Sequence, residues 1–100
     1  MKYFDEDNTE QLSKWLSKEL EPLTLADPDT LAEYVIALLK HDKDSHDLAD
    51  FCKEELADFL KENTEPFVKL LFEALEGIII INILHKLLTY LLTYILYTHI

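Results

Sequence analysis

The residues best suited to chemistry gather in one short stretch: His41, Asp42, Asp44, His46, Asp47 and Asp50. Imidazoles and carboxylates ligate zinc and hard cations. A calcium-binding loop opening at Asp42 would need Gly at position 47 and Glu at 53. The chain has Asp47 and Lys53, and that pattern fails. His46 and Asp50 lie one helical turn apart and make a partial pair, short of a full ligand set. The competing reading is a solvated turn whose acids favour the start of a helix.

Two further groups invite the same question. Cys52 has His46 nearby in sequence and is a candidate nucleophile. It also falls on an apolar stripe with Phe51 and Leu56, where cysteine acts as a small hydrophobe. Glu54, Glu55, Asp58 and Glu62 crowd one helix, but Lys53 and Lys61 offer them ordinary i, i+3 and i+4 partners. No catalytic, cofactor-binding or metal-binding residue is assigned, and no enzyme activity or cofactor is expected.

Four helices are needed to position these residues. Asn8 is read as the cap of the first, with Gln11 bonding back to it and Leu12, Trp15, Leu16 and Leu20 forming a stripe. Pro22 ends it. Asp27 caps the second, Pro28 suits its first position, and Asp29 complements the dipole. Leu31, Tyr34, Val35, Leu38 and Leu39 mark its buried face. Asp44 or Ser45 caps the third, whose stripe is Leu48, Phe51, Cys52, Leu56, Phe59 and Leu60. Asn63 and Thr64 break it. The fourth is capped by Thr64 or Glu65 and carries Pro66 in its first turn. Its stripe is Phe67, Leu70, Leu71, Ala74 and Leu75, and Gly77 is read as a left-handed C′ residue.

The expected fold class is therefore all-α: residues 8–77 as a four-helix bundle, followed by a hydrophobic helical tail over residues 78–100. Trp15, Phe51, Phe59, Phe67 and Phe72 supply large apolar areas. The core is expected around Trp15, Leu16, Tyr34, Val35, Leu38, Leu56, Phe59, Phe67 and Leu71. Trp15 is read as core rather than as an exposed anchor.

Composition sharpens the division. The chain has 100 residues and a formal net charge of −11, with 20 Asp and Glu, 9 Lys and no Arg. All the acids and all but one of the lysines precede residue 78. Backbone-phosphate binding needs clustered cations, and an acidic chain without arginine disfavours it. One Cys excludes a disulfide framework and a multi-cysteine zinc site. Residues 1–20 lack the apolar run of a signal peptide, which points to a cytoplasmic or nuclear setting.

The ordered set Ser13-Lys14-Trp15-Leu16-Ser17-Lys18-Glu19-Leu20-Glu21-Pro22, Ala26-Asp27-Pro28, 31–38, Asp42-Lys43, Leu48, Cys52, Leu56, Phe59-Leu60, Phe67-Val68 and 71–74 resembles a known module. It is similar to the PWI-like N-terminal domain of the RNA-binding motif protein 26/27 family, over about residues 10–76. Lys14-Trp15-Leu16 stands at the place of the name-giving tripeptide, of which only the Trp is kept. The resemblance implies a four-helix PWI-like fold in a nuclear protein of mRNA processing. The arginine-rich segments, zinc finger and RNA-recognition domains of that family have no counterpart in this sequence. PWI domains that touch nucleic acid lean on a basic flank, whereas Asp5, Glu6 and Asp7 make this flank acidic. A protein partner with a basic segment is the expectation, steered by the acidic surface.

The tail contains one Lys, no acid, and apolar residues at sixteen of twenty-three positions. It admits three readings. As a helix it is long enough for a membrane anchor, though Lys86 near its middle and the absence of flanking cations oppose that. As an added helix it would lay Leu84, Leu87, Leu88, Leu91, Leu92, Ile95 and Leu96 on the bundle, with the β-branched run 78–81 helical or extended. By origin it is a truncated or alternatively spliced product, because the resemblance stops where the compositional bias begins and 87–90 repeats at once as 91–94. The order of preference is unselected origin, with a fortuitous hydrophobic helix as its structural outcome, then membrane anchor. The leading function is a non-catalytic protein-interaction module; the alternative is a small tail-anchored membrane protein with an acidic cytosolic bundle.

Overall fold

A computed structural model describes residues 6–99. Four helices follow one another: α1 Glu6–Leu20, α2 Pro28–Leu39, α3 Ser45–Leu60 and α4 Thr64–Thr98. Short 3₁₀ turns follow α1 at Glu21–Leu23 and join α3 to α4 at Lys61–Asn63. Among the described residues there is no strand.

The second and third starts are fixed by their capping carboxylates. Asp27 accepts the backbone amide of Thr30 at 3.0 Å and its hydroxyl at 2.7 Å. These bonds, the hydroxyl's first, hold the Asp27 carboxyl below the usual range. Of the two candidates for α3, Asp44 is the cap, accepting the Asp47 amide at 2.8 Å. Leu20 ends α1, and Pro22 continues as a 3₁₀ turn.

Two cap assignments are corrected. Helix α1 already contains Asn8, so that residue is not its start. Helix α4 begins at Thr64 after Asn63, with no side-chain cap. The Thr64 hydroxyl is instead donated back to the Lys61 carbonyl at 2.7 Å. The joining turn is tight: Lys61 has φ 52°, a conformation disfavoured for a residue with a side chain. Asp5 of the acidic flank and Ile100 lie outside the described residues.

Each helix contributes one row to a single core: Leu12, Leu16 and Leu20; then Leu31, Val35, Leu38 and Leu39 with Ala32 and Ile36; then Leu48, Cys52, Leu56 and Leu60; then Phe67, Val68, Leu71 and Leu75. Helix α1 packs on α2, α2 on α3, and α3 on α4. Trp15, Tyr34, Phe51 and Phe72 are half-buried against this core. Phe59 is not part of it, being 44% exposed. In α3 the buried row advances by four residues from Leu48 to Leu60, which leaves Phe59 about 100° round the helix from its end. Leu70 is likewise exposed at 41%, and Val68 takes the interior position beside Phe67.

The largest departure is at Gly77. It is no C′ residue: it has no positive φ, and α4 passes through it as a continuous helix of 35 residues. One glycine in a helix interior costs about 1 kcal/mol, and the following residues include no proline to stop propagation. The run 78–81 is helical rather than extended. Beyond it, Ile83, Leu84, Leu87, Leu88, Leu91, Leu92, Ile95 and Leu96 are exposed, so the tail does not fold back on the bundle. The molecule extends 60 × 25 × 20 Å as a result.

Candidate interaction surface

The structure disperses the candidate chemical groups. His41 packs against Phe51, the rings tilted by 53° with centroids 4.8 Å apart, and its Nδ1 lies 3.2 Å from the Leu38 carbonyl. The Lys43 ammonium sits over the other participant in that pair, 5.3 Å from the Phe51 centroid. His46 instead approaches Asp50 at 3.6 Å on the exposed side of α3, where Lys53 also reaches Asp50 at 3.9 Å. Among the described residues no three His, Cys, Asp or Glu side chains gather as a metal site would require. Cys52 is wholly buried, and burial pushes its thiol up to about 11. At neutral pH it is a protonated core side chain rather than a nucleophile.

Apolar exposure gives a better lead. The turn between α1 and α2 faces the end of α3 across a groove of ≈ 360 Å³. Leu23 and Leu25 line one side, and Phe59 lines the other. Leu25 is fully exposed. Thr24 shapes this turn by accepting the Ala26 amide at 3.1 Å on its hydroxyl. Phe59 is held from behind by Tyr34, whose ring meets it edge-on with centroids 6.1 Å apart. The Tyr34 hydroxyl in turn donates to Glu55 at 2.8 Å. That bond is the first cause of a raised Tyr34 pKa, with desolvation adding to it.

The groove wall carries Asp58 and Glu62, with Lys61 between them. Exposed apolar side chains and carboxylates lining one groove suit a segment that is basic and carries an apolar side chain. A wider groove of ≈ 640 Å³ lies between α1 and α2, but its charges are mixed: Glu10, Lys14, Glu33 and Lys40. Lys14 there pairs with Glu10 at 3.4 Å. The sequence pattern of helical stripes singles out neither exposed residue: Phe59 falls on the α3 stripe. Leu25 had a visible signal, since an apolar residue in a turn belongs to no helical stripe.

Residues 10–78 match the PWI domain. This chain belongs to the PWI family. The PWI match takes in α1 from Glu10 on, α2, α3 and the bundle-facing part of α4, and it ends at residue 78 within that helix. Human RNA-binding protein 26 is 48% identical over 70 residues, which are 70% of this chain and 7% of that protein. Mouse RNA-binding protein 27 is 46% identical over 69 residues, 69% of this chain and 6% of that protein. Zinc finger protein swm of Drosophila melanogaster is 51% identical over 71 residues, 71% of this chain and 7% of that protein. The chain thus spans less than a tenth of the length of these relatives. No solved structure matches it significantly. Among the described residues no helix is long and apolar enough to cross a membrane, which weighs against the tail-anchored reading.

Proposed function

We propose that this PWI chain is a non-catalytic protein-recognition module of an RNA-processing protein, acting in the nucleus. Its groove between the 22–26 turn and the end of α3 receives a Lys/Arg-rich segment of a protein partner. The observation that carries this reading is the pairing of exposed Leu25 and Phe59 with Asp58 and Glu62 on one groove. The net charge of −11 steers a cationic segment toward the surface and opposes a phosphate backbone. Relatives named as RNA-binding proteins supply the RNA-processing setting. In those proteins the matched segment is a small fraction of the chain.

Fluorescence anisotropy with a Lys/Arg-rich peptide containing one leucine tests the proposal. Affinity is expected to fall on raising salt from 50 to 300 mM, because exposed charges are screened (Debye length about 10 Å at 0.1 M). Phe59→Ala and the pair Asp58→Lys with Glu62→Lys are each expected to weaken binding about tenfold. Salt-independent binding, unchanged affinity in these variants, or tighter binding to single-stranded RNA than to the peptide would overturn it.

A further inference from the structure

The exposed part of α4 is not uniformly greasy. Ile81, Leu84, Leu88, Leu91 and Ile95 recur at alternating steps of three and four, the spacing of a coiled-coil seam. Each is between 47% and 66% exposed. Lys86, Thr89 and Thr93, at steps of three and four, form a polar row on the opposite side of the helix. The two threonines satisfy their hydroxyls on α4 itself, Thr89 donating to the His85 carbonyl and Thr93 to the Thr89 carbonyl, both at 2.9 Å. Ile83, Leu96 and Tyr97 beside this row are exposed as well, so the apolar surface is broader than the seam; what singles the seam out is its unbroken three-and-four spacing with the polar row opposite.

We infer that the seam Ile81–Leu84–Leu88–Leu91–Ile95 joins two copies of this chain in an antiparallel helix pair. The seam reads nearly the same in both directions, so one copy complements another by two-fold symmetry. The layers are Leu88 on Leu91 of the second copy and Leu84 on Ile95, each occurring twice. The seam side chains of both copies, with flanking Leu87 and Leu92, remove roughly 1,000–1,400 Å² from water, the lower range of stable interfaces.

Charge selects the direction. Residues 1–77 carry all the acids of the chain, and the tail carries none. A parallel pair would set two strongly anionic bundles side by side, about 10 Å between the α4 axes. The antiparallel pair holds the points where the two α4 helices leave their cores about 40 Å apart, at 1.5 Å per residue. That is several Debye lengths at physiological salt. Lys86 stays on the outer side, where its charge remains hydrated.

Sedimentation of the full chain at 5–100 µM in 0.15 M salt is expected to give a species of twice the 11.7 kDa chain mass. Leu88→Asp is expected to weaken dimerisation at least a hundredfold, and Thr93→Asp less than threefold. Circular dichroism of both variants checks that the bundle persists. Orientation is read by oxidising cysteine variants, since Cys52 is buried and does not compete. Leu84→Cys chains mixed with Ile95→Cys chains are expected to cross-link, whereas Leu84→Cys alone is not. A monomeric full chain, open-ended aggregation unaffected by Leu88→Asp, or ready Leu84–Leu84 cross-linking would overturn the inference. So would a chain that is monomeric in buffer and floats with phosphatidylcholine vesicles.

Discussion

Replacing Gly77 by Ala asks whether α4 is one helix. In the structure Gly77 has no positive φ, and a Cβ added there meets nothing within 4 Å. The substitution therefore introduces no clash, and only the backbone term remains. Alanine is favoured over glycine in a helix interior by about 1 kcal/mol. At about 1.4 kcal/mol per factor of ten, helix continuation past residue 77 becomes roughly fivefold more favourable. Native-state hydrogen exchange at low micromolar concentration reads this directly. Amides over residues 82–92 are expected to exchange about fivefold more slowly in Gly77→Ala, with those of α2 unchanged. The sign is diagnostic. At a left-handed helix end alanine would cost about 1–2 kcal/mol, because its Cβ crowds the following carbonyl. Faster exchange beyond residue 77, or a lowered melting temperature, would refute the continuous helix.

Two phenylalanines should separate sharply on truncation. Phe67→Ala removes a fully buried ring and is expected to destabilise the chain by about 3–5 kcal/mol in urea unfolding, while Phe59→Ala, half in water, is expected to cost about 1 kcal/mol. Equal losses would contradict the rows assigned to α3 and α4. Cys52 gives a pH dependence. Its thiol ionises near 9.0 when solvated and near 11 when folded, because burial penalises the thiolate. Above pH 9 the unfolded chain holds fewer protons, so stability is full below that pH and falls as pH rises toward 11, by on the order of 2 kcal/mol. Urea midpoints at pH 8 and 10.5 measure this; a Cys52→Ala chain is expected to lack that component, and maleimide at pH 7 is expected to label native Cys52 far more slowly than unfolded Cys52.

The helices and their order were legible because caps and stripes are local signals. Asp27 before Pro28 marks its helix start by short-range hydrogen bonding and forms the expected cap, and of the two candidates for α3, Asp44 and Ser45, Asp44 caps it. The errors share a cause in tertiary packing. A stripe specifies a face, but which edge of that face turns inward depends on the neighbouring helix. Hence Phe59 and Leu70, both on their expected stripes, are exposed, whereas Leu60 is buried as its stripe predicts and Val68, outside the expected stripe, takes an interior position. The groove was invisible because it needs the 22–26 turn and the end of α3 together, segments more than thirty residues apart. Gly77 misled for a different reason. Glycine ends helices often, yet its small penalty is outweighed when the residues on both sides favour helix.

The continuity of α4 also makes a lever. Its first half carries Phe67, Leu71 and Leu75 into the interior, and its second half projects into solvent on the same axis. From Leu75 to Thr98 the arm is about 35 Å long, so a tilt of roughly 10° at its root swings the tip by about 6 Å. A spectroscopic label at Tyr97 would thus magnify small repacking movements among the interior side chains of α3 and α4 into displacements large enough to measure.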